Sequence, residues 1–153
     1  LGYNFLKHTF CNVCDTTSFE KDGFIVSYHK GTLNSSIKKG DVLEIRCWKE
    51  ELDEIRQASL YGNPMEDRNE VSIEGVVTAE LLAELLSEEP IDKSIYNKMT
   101  KYFTINVENE RCFLCSAHYG TEMYLERVSD TDISFFESVI NQYDDCFSVR
   151  IDK

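Results

Sequence analysis

The sequence predicts an α+β fold: a mainly antiparallel sheet with three to four amphipathic helices packed on it. Three observations point to it. Residues 42–48 and 147–151 alternate apolar and polar side chains with the period of a half-buried strand. Asn109 and Gly120 fall at short turns between strand-like stretches, which suits hairpins and therefore antiparallel pairing. Between the strands lie stretches with large apolar residues at helical spacing. No repeat or Pro/Gly/Ser-rich linker divides the 153 residues, so 1–153 reads as a single α+β domain.

In chain order, Asp22-Gly23 is a turn signal and Phe24 to Tyr28 follows it as a strand. Lys39-Gly40-Asp41 is the turn before a strand over Val42 to Trp48. Leu43, Ile45 and Cys47 share one side of that strand, and Glu44 and Arg46 the other, beside Val42 and Trp48. Over 49–60 the spacing of Trp48, Leu52, Ile55 and Ser59 predicts a helix. Glu50, Glu51, Asp53 and Glu54 lie off that stripe, near the N-terminus where the macrodipole favours carboxylates. Gly62-Asn63-Pro64 is a stop signal, and 63–70 reads as an exposed loop.

Val71 to Val77 is a short strand. Thr78 then caps a helix with Leu81, Leu82, Leu85 and Leu86 inward and Glu80, Glu84 and Glu88 outward, ended by Pro90. A helix over 92–101 buries Ile95, Tyr96 and Met99. Residues 103–107, 111–118 and 122–128 are strands. Ser129-x-x-Asp132 resembles a capping box before a helix that places Ile133, Phe136, Val139, Ile140 and Tyr143 on one face. Phe147 to Ile151 closes the chain as a strand.

Composition narrows the function. A content of 42% hydrophobic and 12% aromatic residues excludes a disordered tail, and no apolar run reaches membrane-spanning length. The net charge of −12 argues against nucleic acid as a partner. Residues 49–90 hold three basic and twelve acidic side chains, a local charge of −9, against +1 for 1–48 and −4 for 91–153. Such a middle third attracts a basic protein or cations, although the same charge also serves as an ordinary solvated surface.

Six cysteines stand at 11, 14, 47, 112, 115 and 146, and two pairs are C-x-x-C: Cys11 with Cys14, Cys112 with Cys115. Together the pairs suit one structural zinc, held in a small zinc-ribbon-like end formed by 8–16 and 110–118, with His118 or His29 as substitute ligands. Against zinc stands the apolar Phe113-Leu114 insert: in a strand it turns Cys112 and Cys115 to opposite faces. Buried free thiols and disulfides are the alternatives. Neither pair precedes a helical pattern, which argues against redox catalysis. Leu1 to Phe10 is too short and polar for the apolar core of a leader, so a reducing, cytoplasmic compartment is expected.

No Gly-rich phosphate loop, G-x-S-x-G or H-E-x-x-H is present, so the chain reads as no enzyme; a scattered site built on Cys or His is the remaining enzymatic reading. The preferred function is an acidic binding protein, of inhibitor or immunity type, that occupies a basic protein partner. Its contacts are Glu50, Glu51, Glu54, Glu66, Asp67, Glu70 and Glu74. In size and charge alone the chain resembles bacterial toxin-immunity proteins. The alternative is a zinc-stabilised adaptor or regulatory domain for protein–protein interaction.

Overall fold

The alternation seen in the sequence becomes strand pairing in the computed structural model, which describes residues 4–10, 36–87, 98, 100–140 and 147–152. The elements are β1 (Asn4–Phe10), β2 (Val42–Trp48), α1 (Leu52–Ala58), β3 (Gly62–Asp67), β4 (Glu70–Val76) and α2 (Ala79–Ser87), followed by β5 (Thr104–Glu108), β6 (Phe113–Ala117), β7 (Glu122–Val128), α3 (Asp130–Ile140) and β8 (Phe147–Asp152). The strands form one sheet in the order β3-β4-β2-β5-β6-β7-β1-β8, and every neighbouring pair is antiparallel. The expected strand at 24–28 lies outside the described residues. So does most of the expected helix over 92–101, whose last residues, Thr100 and Lys101, form a bend.

One face of the sheet is apolar. Leu43 and Ile45 of β2, Ile73 of β4, Ile105 and Val107 of β5, Leu114 of β6, and Met123 and Leu125 of β7 are all buried in one cluster. Full burial of each such side chain is worth about 1.5–3 kcal/mol, which makes this face the main source of stability.

The expected layer of three to four amphipathic helices is overturned. Among the described residues only α1 and α2 put buried side chains into that cluster, through Ala58, Leu81 and Leu85, and strand outweighs helix. Part of the excess of strand over helix comes from 63–70. The expected loop is instead a hairpin strand: β3 pairs along its length with β4 and turns at Arg68, whose φ is 55°. Pro64 sits on this edge strand, where a missing N–H need not break a ladder. Gly62 pairs with Gly75 because the backbones run too close for a side chain. A Cβ on Gly62 would lie 2.1 Å from the Glu74 carbonyl oxygen, and one on Gly75 would lie 2.2 Å from that of Tyr61.

Helix α1 is also rotated from its expected stripe, whereas the leucine stripe of α2 packs inward as expected. In α1 the apolar Leu52 is 66% exposed while Glu54 and Ala58 are buried. In α2 the Thr78 hydroxyl accepts the Leu81 amide at 3.1 Å as expected of a cap, and Leu82 and Leu86 pack on the core beside buried Leu81 and Leu85. Glu84, expected to face out, is buried as well.

Candidate functional site

The face of the sheet turned away from the core is mixed, with carboxylates beside the exposed apolar Val42, Met65 and Val76. Opposite the apolar face, β2 presents Glu44 and Arg46, which lie in register with Glu74 and Ser72 of β4 and with Asn106 and Thr104 of β5. Because side chains alternate, Glu70 of β4, Asp67 of β3 and Glu108 of β5 fall on the same face. The register carries it further across Phe113 and Cys115 of β6 to Glu122, Tyr124 and Glu126 of β7. Carboxylates from five strands thus share one surface. Glu74 and Glu108 are exposed on it, and Glu44, Glu70, Glu122 and Glu126 are half-buried.

Arg46 is the hub of this face. Its Nε donates to Glu70 Oε2 at 2.6 Å, one terminal nitrogen to Glu44 Oε1 at 2.9 Å, and the other to Asp67 Oδ2 at 2.6 Å. The hydroxyl of Ser72 and the amide of Asn106 also donate to Glu44, at 2.6 and 2.8 Å. Burial pushes the Glu44 carboxyl up, but the donors Ser72, Asn106 and Arg46 outweigh it and hold it below its ordinary value. The Arg46 contact holds Asp67 low, and Asp67 and Glu70 in turn raise the guanidinium. Ionised carboxylates are therefore fixed in place at neutral pH.

The contacts read from the acidic middle third do not stay together. Asp67, Glu70 and Glu74 lie on the open face. Glu66 points to the other side of β3 and accepts from Lys49 at 2.7 Å, which lowers its carboxyl. Glu50 is exposed in the turn before α1.

Glu51 and Glu54 turn inward. Glu51 accepts the Lys98 ammonium, the Tyr119 hydroxyl at 2.9 Å and the Trp48 amide at 2.8 Å. Lys98 Nζ also stands 3.8 Å from Glu54 and 4.6 Å from the centre of the Tyr119 ring. A second buried carboxylate, Glu84, accepts from the Tyr102 hydroxyl, from Gln57 at 2.9 Å and from Lys101 at 3.4 Å. Desolvation works to raise Glu84, yet the donors Tyr102, Gln57 and Tyr61 and the charge of Lys101 bring it below its ordinary value. These buried charges hold α1 and α2 to the segment before β5, a structural use of carboxylates.

Charge density alone missed Glu44, Glu108, Glu122 and Glu126 as members of the open face. The signal was available in the polar positions of each alternating strand, but it needs the register between strands to become a surface.

Of the zinc candidates, Cys11, Cys14 and His29 lie outside the described residues. Cys112 is buried just before β6, with its thiol 3.6 Å from the Ser36 carbonyl oxygen, and Cys115, three residues further on, falls on the acidic face. His118 is exposed in the β6–β7 turn and meets the Phe103 ring edge-on, with centroids 5.4 Å apart. Cys47, Cys112 and Cys115 are free thiols. Burial pushes the Cys47 thiol up to about 12 and Cys115 up to about 11, and it raises Cys112 too. Among the described residues no group of three or more His, Cys, Asp or Glu is placed to hold a metal ion. Nor is any helix among them long and apolar enough to cross a membrane.

No protein-family model, curated protein or solved structure matches this chain.

Proposed function

We propose that this chain is a non-enzymatic binding protein whose open, acidic sheet face occupies a basic protein partner, as an inhibitor or immunity protein does, in a cytoplasmic, reducing compartment. One observation carries the reading: carboxylates from β3, β4, β2, β5 and β7 gather on the sheet face turned away from the core. Strands about 4.8 Å apart hold these charges in a rigid array, so little side-chain ordering remains to be done on binding. The same array raises the local potential, which speeds encounter with a cationic surface and makes the rate sensitive to salt.

An arginine-rich peptide labelled with a fluorophore serves as the probe, followed by stopped flow at low and physiological salt. Replacing the exposed Glu74 and Glu108 with lysine is expected to slow association by about tenfold at low salt and to flatten the salt dependence. Amide shifts on peptide binding should map to β2, β4 and β5. Equal association rates for the wild type and this double variant, or shifts centred on α1 and α2, would overturn the reading.

A further inference from the structure

We infer that Pro64 closes the β3 edge of the sheet: it withholds the central backbone bond that a second copy of this chain would need to add its own β3. The inference concerns the sheet edge and stands whatever the acidic face binds.

β3 is the last strand on its side of the sheet, and Asn63 to Asp67 are all exposed along it. An uncovered edge strand presents a row of free N–H and C=O groups to other chains. Which groups point outward follows from the hairpin. Only Arg68 and Asn69 separate β3 from β4, and Asp67 faces Glu70. In a two-residue hairpin the closing pair exchanges both backbone bonds, and bonded and non-bonded pairs alternate from there. Asp67, Met65 and Asn63 therefore bond to Glu70, Ser72 and Glu74 of β4. Glu66, Pro64 and Gly62 turn their backbone groups away from the sheet.

Pro64 is the middle one of these outward positions. It has no N–H, and its ring fills the space where an incoming carbonyl would approach. Every antiparallel alignment of two β3 strands that joins more than one outward position sets Pro64 opposite Gly62, Glu66 or the other Pro64. No such register avoids the missing donor. Charge defends this edge only lightly, because Glu66 is already paired with Lys49 and Asp67 with Arg46. Met65, 71% exposed, adds apolar surface beside it.

Pro64→Thr restores the N–H with a residue suited to strands, and tests the inference in the full chain. Light scattering after size exclusion gives the mass at low and high protein concentration, and NMR follows amide exchange under the same conditions. The variant is expected to associate as concentration rises, reversibly on dilution. Its Gly62 and Glu66 amides should then exchange at least about tenfold more slowly, whereas in the wild type both stay fast at either concentration. Circular dichroism and urea midpoints establish that the variant is folded; should it not fold, Pro64→Ala restores the same N–H and is read in the same way. A folded variant whose Gly62 and Glu66 amides exchange as fast as in the wild type at high concentration overturns the inference. So does a wild type in which those amides slow as concentration rises. Neither result bears on the acidic face, which peptide binding reads separately.

Discussion

Glu54 of α1 and Lys98 stand 3.8 Å apart in the interior, their side chains only 9% and 6% exposed, and the same ammonium is held by Glu51. A helix that by its apolar spacing should have shown these carboxylates to solvent instead turns them inward. Burial of such groups is tolerable only because a cation meets them, with the Tyr119 ring beneath the ammonium.

Replacing Lys98 with methionine leaves two carboxylates buried without their cation. The expected loss is about 3–5 kcal/mol of unfolding free energy, read from urea denaturation. Adding Glu54→Leu to that variant should recover part of the loss, because it removes one of the stranded charges. A Lys98→Met protein as stable as the wild type would show that the ammonium carries no such role.

Acid should weaken the fold partly through Glu84. Its folded carboxyl lies below the ordinary value of 4.5, so its stabilising contribution is present above that pH and disappears as the pH falls through the folded value. Glu84→Gln is therefore expected to be less stable than the wild type at pH 6, with the difference shrinking between pH 5 and pH 3. Urea midpoints across that range check it, and a constant difference would contradict it.

The thiols should be slow. With Cys47 pushed up to about 12 and Cys115 up to about 11, little thiolate is present near neutral pH. Labelling by a disulfide reagent at pH 8, resolved by peptide mass, is expected to modify these two sites at least about tenfold more slowly than in denaturant. Fast labelling of Cys47 in the folded protein would mean that the core under α1 opens readily.

Local pattern determined a good part of this protein. The alternation of 42–48 marked β2 and its buried side, the Thr78 signal located the start of α2, and Asn109 and Gly120 marked real turns. Those are properties of a strand, a cap and a turn, each settled within a few residues. The charge-rich middle also pointed to Asp67, Glu70 and Glu74 as part of an anionic surface.

Tertiary structure decided the rest, because it supplied partners distant in sequence. Residues 63–70 carry the turn formers of a loop, and they became a strand only because β4 offered a ladder to pair with. Glu54 and Glu84 look like solvent-facing positions on a helical wheel; Lys98, Lys101 and Tyr102 made the interior acceptable to them. The role of Arg46 was likewise invisible in one dimension: its carboxylate partners lie 2, 21 and 24 residues away, and only the folded hairpin brings the two distant ones within hydrogen-bonding reach. A charge's environment is set by what folds against it, and local sequence period does not contain that information.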